Sequence, residues 1–356
     1  MPDEVQLLRE IVAIPSVSGE EERLAGFLEE TVRGWGLEVT RDDAAVRVEL
    51  HGRAPGATIA LVSHLDVVPP GMGWTRDPFT PTVEGDRLFG RGSGDAKASV
   101  AAMLCAAKDL FDAGGLQVGR LVVLLGYGEE TKNTTMERAV ARAGPIDASV
   151  VGEPTNLDFA IAQRGLLMAD LLAQGDQRHA AYASADGEFT NATLVLARDL
   201  LRLGELFGSR SHPVLGHTVA TPTMLDAGVS RNVTPPVAKA VLDIRSTPDW
   251  SHEEVTEVLQ RSLSSKVVVT SRRLVPCETP AGSPLLAAAR RVRPNAETFG
   301  SPTCSDWVFL RHTDAFKCGP GTSRRSHTPD EYVDLDEVTA ARDFYARLVT
   351  AYLGGQ

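Results

Sequence analysis

Long apolar runs, paired cysteines and a basic excess are all missing from this sequence, and each absence excludes a class of protein. No apolar stretch approaches the roughly 20 residues that a membrane-spanning helix needs, and the amino terminus shows no basic stretch followed by an apolar one, as a secretory signal has. The four cysteines have no metal-type spacing, so neither a zinc ribbon nor a disulfide scaffold is expected. These observations predict a cytoplasmic protein with reduced thiols and no membrane partner.

Basic residues are outnumbered, which disfavours nucleic acid as a partner. The chain has 36 Lys and Arg against 47 Asp and Glu, a formal net charge of −11, whereas nucleic-acid binding relies on clustered basic side chains that neutralise phosphates. What the chain does have is an ordinary globular composition, with 43% hydrophobic and 23% charged residues over 356 positions. That length allows two domains, each with a sizeable core.

Three short apolar stretches are predicted to be strands that end in acidic residues or histidine. The residues at those ends are His64 and Asp66 after the strand at 58–63, Glu129 and Glu130 after 121–125, and Glu153 after 148–151. Helices between the strands predict βαβ units, and therefore an α/β fold with a mostly parallel mixed sheet flanked by helices. In such folds ligands bind at the carboxyl edge of the sheet.

Two further residues at turns complete a possible metal site. Asp95 ends a glycine-rich stretch, ahead of an apolar helix predicted from about 98 to 111, and His327 lies in the tail. Two histidines and three carboxylates suffice for two metal ions with three protein ligands each, if one carboxylate bridges; this is the open, catalytic pattern. Two such ions can polarise a carbonyl and bind a hydroxide. In the pair Glu129-Glu130, one acid can ligate while its neighbour moves protons.

Each of these residues also has a simpler interpretation when it is taken alone. Asp95 is placed to cap the following helix, Glu129-Glu130 has the form of a solvated charge pair, and Glu153 before a proline has the form of a turn residue. Taken together, the simpler interpretations require several strand ends and turns to carry such residues on one sheet edge by accident. The metal-site hypothesis is therefore favoured.

The order of predicted elements changes after residue 164. From 165 to 275 the order is β-α-β-β-α-β, a compact α+β unit that can fold by itself, and the chain then returns to the first domain. We therefore predict a catalytic domain built from 1–164 and 276–356, with an inserted domain at 165–275. Near the amino terminus, Ser18 and Glu21 have the spacing of a capping box for the following helix.

The sequence resembles the M20 family of dinuclear zinc amidohydrolases over essentially its whole length. This family contains acetylornithine deacetylase, succinyl-diaminopimelate desuccinylase, aminoacylase and carboxypeptidase-type members. The motifs that carry the resemblance are Ser63-His64-Leu65-Asp66, the stretch from Gly90 to Lys97 with Asp95, Gly128-Glu129-Glu130, Gly152-Glu153-Pro154-Thr155 and Ser326-His327-Thr328. The resemblance implies a zinc-peptidase-like catalytic domain and an inserted lid domain through which the protein forms a homodimer.

The resemblance also implies a role for each motif residue. His64, Asp95 and Glu153 would hold one zinc ion, and Glu130, Asp95 and His327 the other, with Asp95 as the bridge. Cobalt or manganese are possible substitutes for zinc. Asp66 would orient His64, and Glu129 would act as the general acid and base.

The inserted domain and the tail are expected to contact the substrate. The resemblance implies that His179 reaches the oxyanion, in the family commonly across the dimer interface, and such donors contribute several kcal/mol in other hydrolases. An exposed loop histidine is the simpler interpretation of His179. Arg245 and Asn232 are expected to bind a substrate carboxylate, which the guanidinium fork suits. The turn with Gly319 and Gly321 is expected to offer free backbone amides to the same carboxylate. A lid salt bridge and an ordinary turn are the simpler interpretations.

The resemblance leads to a hydrolase of small N-acylated amino acids, such as a deacetylase or desuccinylase of amino-acid biosynthesis. A dipeptidase or carboxypeptidase is the nearest alternative. A hydrolase acting on an acidic amino-group carrier protein is disfavoured because two acidic partners repel. A non-catalytic binding protein would be expected to have lost Glu129. The chain departs from the family pattern at Ala96, at 131–135 and at 176–178, positions that flank the pocket and leave the substrate open.

Overall fold

The computed structural model of the protein describes residues 3–131, 133–183 and 189–355. The helices in these ranges are α1 (Glu4–Val12), α2 (Glu22–Gly34), α3 (Lys97–Asp112), α4 (Thr135–Ala143), α5 (Ala192–Arg202), α6 (His252–Ser262), α7 (Pro284–Val292) and α8 (Leu335–Leu353). Short 3-10 helices cover Ala180–Tyr182, Leu203–Glu205 and Asp306–Leu310.

The strands alternate with these helices along the chain. Their bounds are β1 (Glu38–Arg41), β2 (Ala45–His51), β3 (Ala54–His64), β4 (Thr82–Glu84), β5 (Arg87–Phe89), β6 (Val118–Gly126), β7 (Ala148–Val151), β8 (Phe159–Gln163), β9 (Gly165–Gln174), β10 (Val219–Ala227), β11 (Val237–Ser246), β12 (Lys266–Leu274), β13 (Cys277–Glu278), β14 (Thr298–Ser301), β15 (Asp314–Lys317) and β16 (Tyr332–Asp334).

The chain divides into two compact units. The first unit comprises Met1–Ile161, Thr279–Phe299 and Ser305–Gln356, and the second comprises Ala162–Glu278 with Gly300–Cys304. The domain boundaries predicted above, at 165 and 275, stay a prediction.

The largest sheet has the strand order β1-β2-β6-β3-β7-β15-β8-β13, with β14 paired to β8. Its four central strands, β6, β3, β7 and β15, are parallel, and antiparallel strands flank them. Strand β7 and the second half of β3 are continuously buried, as expected for parallel strands that are covered on both faces. Helix α3 is buried along its first eleven residues and belongs to the same apolar core. The predicted α/β class is confirmed.

The second unit contains a four-stranded antiparallel sheet with the order β10-β11-β9-β12. Residues alternate between buried and partly exposed along β9 and β11, the pattern of strands with one face on a core. Helices α5 and α6 contribute Leu196 and Leu259 to that core. The predicted element order, β-α-β-β-α-β, is confirmed.

One prediction near the amino terminus is wrong. Helix α2 begins at Glu22 without a side-chain cap; the hydroxyl of Ser18 donates to Asp66, and its oxygen does not accept from an amide of the helix. Helix α1, in contrast, is capped by Asp3, whose Oδ1 accepts from the amides of Val5 and Gln6. Among the described helices, none has both the length and the apolar character that crossing a lipid bilayer demands.

Candidate metal centre and active site

Adjacent parallel strands bring the predicted residues to one edge of the large sheet. Strands β6, β3 and β7 lie side by side, and the end of β3 pairs with the end of β6. The apolar strands are held in register by the core, so the polar residues after them emerge together. The residues that follow these ends are His64 at β3, Glu129 and Glu130 after β6, and Glu153 after β7.

The carboxylate of Asp95 lies between two histidines that are far apart in sequence. Its Oδ1 is 3.4 Å from Nε2 of His64, and its Oδ2 is 3.7 Å from Nε2 of His327. The same nitrogen of His327 is 2.9 Å from Oε1 of Glu130. Each oxygen of Asp95 therefore faces a different imidazole, which is the arrangement that a bridging carboxylate requires.

The residues at this place fit a divalent metal ion. Donor atoms of His64, Asp95 and Glu130 lie within 4.8 Å of one another. Oδ1 of Asp95 is buried and accepts no hydrogen bond from any residue that the structure describes. A buried acceptor without a partner costs free energy, and a bound cation would remove that cost. Imidazole nitrogens and carboxylate oxygens are also the donors of catalytic zinc sites.

The electrostatics of the site also favour positive charge. Glu129 and Glu153 are half-buried. Desolvation, together with the negative charge of Asp95, raises the pKa of Glu153 to about 7. Desolvation and the charge of Glu153 raise the pKa of Glu129 well above its ordinary value. Carboxylates crowded in this way resist ionisation until a cation neutralises them.

Asp66 connects three segments of the site. Its Oδ2 accepts from the hydroxyl of Ser18 at 2.7 Å and from the amide of Glu130 at 3.0 Å, and its Oδ1 accepts from the amide of Glu129 at 3.0 Å. Although burial opposes ionisation, hydrogen bonds and the charge of His64 hold the pKa of Asp66 below its usual range. This fully buried carboxylate fixes the turn that carries both glutamates.

The orientation of His64 has two sources. Its Nδ1 lies 2.9 Å from the backbone carbonyl oxygen of Asp66 and 3.5 Å from the carboxylate Oδ1 of the same residue. A proton on Nδ1 satisfies these acceptors and leaves Nε2 available for a metal ion. The sequence predicted that the carboxylate of Asp66 orients His64, whereas the shorter contact of His64 is to the backbone oxygen of Asp66.

Two buried charged residues support the loop of Asp95, and the sequence analysis assigned no role to either. The carboxylate of Glu331 accepts from the amides of Gly92, Gly94 and Asp95, each at 3.0 Å. Nζ of Lys97 donates to the backbone carbonyls of Ile11 in α1 and of Ile14 just beyond that helix, and burial lowers the pKa of Lys97 to about 7. Glu331 lies only four residues after His327 in the sequence, so its position was a usable signal.

Asp306 is a further acid that the sequence analysis missed. Its side chain is buried in the 3-10 helix Asp306–Leu310. Desolvation, reinforced by the charge of Glu153, raises its pKa to about 8, while a hydrogen bond from Asn133 opposes that shift. It stands in the sequence Cys304-Ser305-Asp306, which follows no predicted strand, so position relative to strand ends gave no signal.

The residues predicted in the inserted domain belong to the second unit. His179 is exposed; its Nδ1 accepts from the amide of Ala181 at 3.2 Å. Asn232 lies near it in the same unit, because its carbonyl accepts from the amide of Ala180. The guanidinium of Arg245 is bound by both oxygens of Asp243, at 2.7 and 3.0 Å. Their roles toward a substrate stay predictions.

The prediction of free amides at Gly319 and Gly321 is wrong. The amide of Gly319 donates to Oγ1 of Thr155 at 3.2 Å, and that of Gly321 donates to Oε2 of Glu337 at 2.9 Å. A Cβ atom on Gly319 would lie 2.7 Å from the carbonyl oxygen of Glu153. This glycine therefore allows close packing against the backbone of a predicted metal ligand.

Comparisons with known proteins found relatives in both sequence and structure. A sequence model of peptidase family M20/M25/M40 matches residues 60–351. A succinyl-diaminopimelate desuccinylase from Phenylobacterium zucineum is 30% identical over 380 aligned residues, which cover 98% of each chain.

Solved structures share the fold. A tripeptidase from Staphylococcus aureus superposes with a TM-score of 0.81 at 18% identity, covering 99% of this chain and 98% of that one. A dinuclear metal-binding peptidase of the M20 family from Bacillus subtilis superposes with a TM-score of 0.77 at 16% identity, again over 99% and 98%.

Proposed function

This chain belongs to peptidase family M20/M25/M40 and is a metal-dependent hydrolase, and we propose that it cleaves the amide bond of a small N-acylated amino acid with two zinc ions. The observation that carries this proposal is the position of Asp95, whose two oxygens face His64 and His327. Such a carboxylate can hold two cations side by side, as two-metal hydrolytic sites need.

The proposed ligands divide into two sets that share Asp95. One zinc ion would be held by His64, Asp95 and Glu153, and the other by Asp95, Glu130 and His327, with cobalt or manganese as possible substitutes. When bound, the ions supply positive charge that lowers the pKa of a water molecule and polarises the substrate carbonyl.

Glu129 would move the proton. Among the described residues, none forms a hydrogen bond or ion pair with its carboxylate, although its backbone is fixed by Asp66. A carboxyl group with a raised pKa can take a proton from the attacking water and return it to the leaving nitrogen. The turn that holds Glu129 beside the proposed ligand Glu130 would keep the proton carrier close to the reacting bond.

The proposed substrate is supported by the name of a relative and by polar residues of the second unit that could bind a carboxylate. The Phenylobacterium zucineum relative is named for removing a succinyl group from diaminopimelate, which favours a succinylated or acetylated amino acid over a dipeptide. We propose that Arg245 and Asn232 bind its carboxylate and that His179 donates to the oxyanion, as part of a homodimer. Asp243, which now binds the fork of Arg245, would hold that guanidinium in place.

The homodimer proposal is supported by the edge strand β10. An edge strand offers unpaired backbone groups, and β10 carries exposed apolar side chains, including Met224 at 67% and Leu225 at 66% exposure. Exposed apolar surface on an unprotected strand edge is a pairing surface. A second copy of the chain would cover it.

Hydrolysis of a substrate panel tests the proposed function. Purified protein loaded with zinc should hydrolyse N-succinyl- or N-acetyl-amino acids at least tenfold faster, by kcat/KM, than any dipeptide of matched side chain. A dipeptide as the best substrate would replace the proposal with a dipeptidase, and no hydrolysis of either class by a zinc-loaded protein would reject it.

A further inference from the structure

The segment Ser18-Gly19-Glu20-Glu21 lies outside the region that the family sequence model matches, which begins at residue 60. It looks like a helix cap in the sequence, yet α2 begins beyond it without a side-chain cap. The side chains of Ser18 and Glu21 instead form hydrogen bonds with Asp66 and with the turn that carries Glu129 and Glu130.

The first contact is between Ser18 and Asp66. The segment is aligned with the end of β3 by a parallel bridge between Val17 and Val67, in which the amide of Ser18 donates to the carbonyl of Val67 at 3.2 Å. This alignment places the hydroxyl of Ser18 at 2.7 Å from Oδ2 of Asp66. The same oxygen accepts from the amide of Glu130.

The second contact is between Glu21 and Gly128. Oε1 of Glu21 accepts from the amide of Gly128 at 3.0 Å and from that of Gly19 at 3.0 Å. The side chain is buried, so its carboxylate bonds are shielded from water. Gly128 has a φ of 65°, a left-handed turn conformation that suits glycine.

Together these contacts hold three consecutive amides of one turn. The amide of Gly128 is bound by Glu21, and those of Glu129 and Glu130 are bound by Asp66, which Ser18 in turn bonds. Backbone amides bound by carboxylates are strong, charge-assisted contacts. The backbone of the turn, and with it the point from which each glutamate side chain extends, is therefore held by these carboxylates.

We propose that Ser18 and Glu21 are positioning residues for the hydrolytic reaction, which fix the turn 128–130 so that Glu130 ligates and Glu129 transfers protons. This inference rests on the proposed function. Residues that orient metal ligands typically change metal affinity or activity by about 10–100-fold when mutated, although they touch neither metal nor substrate.

The test compares deletion variants, in which alanine removes the hydrogen-bonding side chain, with conservative variants, in which a related side chain keeps the hydrogen-bonding group. Ser18→Ala and Glu21→Ala remove the contacts. Ser18→Thr keeps the hydroxyl, and Glu21→Gln keeps an oxygen acceptor. Ser149→Ala is the matched control, because Ser149 is also a buried serine of the first unit and its hydroxyl lies 2.7 Å from that of Thr313, away from the turn.

At saturating metal, each deletion variant should lower kcat about tenfold with KM changed less than about threefold. The conservative variants should restore at least half of the wild-type kcat. Cobalt-loaded Ser18→Ala and Glu21→Ala should also show altered visible absorption, because the coordination by Glu130 changes. The control should leave both kcat and the cobalt spectrum unchanged even where it lowers Tm.

Deletion variants with the kcat and cobalt spectrum of Ser149→Ala would overturn the inference. If Ser18→Ala does not fold, the pair Glu21→Ala and Glu21→Gln decides it by the same criteria. An inactive wild-type protein that binds cobalt would reject the proposed function alone, and the spectra of the variants would still decide this inference.

Discussion

Oδ1 of Asp66 accepts a hydrogen bond from the backbone amide of Glu129 at 3.0 Å. The contact joins the end of β3 to the turn after β6, two places that are 63 residues apart in sequence. Because Oδ2 of the same carboxylate binds the amide of Glu130, one buried side chain positions a predicted ligand and the predicted proton carrier together.

Replacing Asp66 tests that connection. Asp66→Ala leaves two amides of the turn without an acceptor and removes the carboxylate near Nδ1 of His64, so we expect kcat/KM to fall about 10–100-fold. We also expect a loss of roughly 1–3 kcal/mol in the free energy of unfolding, because buried donors lose their partner. Steady-state kinetics and urea unfolding measure the two effects; kcat/KM within twofold of wild type would rule out the positioning role.

Replacing Glu129 separates proton transfer from metal binding. Glu129→Gln keeps the shape of the side chain but cannot carry the proton, so we expect kcat to fall about 10²–10⁴-fold with the metal content unchanged. The exposed Glu137 on α4 provides a control, since Glu137→Gln should be fully active. Wild-type turnover by Glu129→Gln would remove this residue from the mechanism, and loss of metal would show that it is a ligand.

The metal-free protein should become less stable as the pH rises from about 5 to 8. The pKa of Glu153 is raised to about 7, and although burial opposes the charged form of His64, the carboxylates of Asp66 and Asp95 near its two ring nitrogens raise its pKa well above the ordinary value. The folded chain then binds more protons than the unfolded chain in this window, and the stability that these protons contribute is lost as they dissociate.

Zinc binding should reverse this trend, because deprotonated ligands bind metal and binding releases protons. The increase in Tm on adding zinc is therefore expected to be larger at pH 8 than at pH 6. Differential scanning calorimetry of chelator-treated protein measures both effects. A Tm of the metal-free protein that rises steadily across this window would contradict the assignment of raised pKa values.

The edge strand β10 should form the homodimer interface. Leu225→Lys places a charge on the exposed apolar edge, and we expect a monomer by light scattering, whereas Val83→Lys on β4 of the first unit should stay dimeric. If His179 acts across the dimer, the monomer should also lose at least 90% of its activity while keeping its metal. A dimeric Leu225→Lys protein would exclude β10, and a fully active monomer would exclude action of His179 from the partner.

The sequence predicted which residues meet at the carboxyl edge of the large sheet, because local patterns encode the strands that carry them. Strands that are buried on both faces are recognisable in the sequence as continuous apolar stretches. Because parallel strands end at the same edge of a sheet, the residues at those ends, such as His64, Glu130 and Glu153, lie at one edge. The β-α-β-β-α-β order of the second unit could also be predicted from the sequence, because residues along its strands alternate between a buried and an exposed face.

Other contacts were hidden because they depend on distant partners. Ser18 and Glu21 have the spacing of a helix cap, and only the pairing of Val17 with Val67 turns them toward Asp66. Asp306 follows no apolar strand, so nothing local marks it. The amides of Gly319 and Gly321 are taken by Thr155 and Glu337, partners that no short-range pattern predicts.

Anomalous diffraction at the zinc absorption edge, from crystals of the zinc-loaded protein, will show whether Asp95 bridges two metal ions. We expect two anomalous peaks per chain, one on each side of the Asp95 carboxylate, next to His64 and His327. A single peak, peaks remote from Asp95, or no peak in zinc-loaded crystals would contradict it.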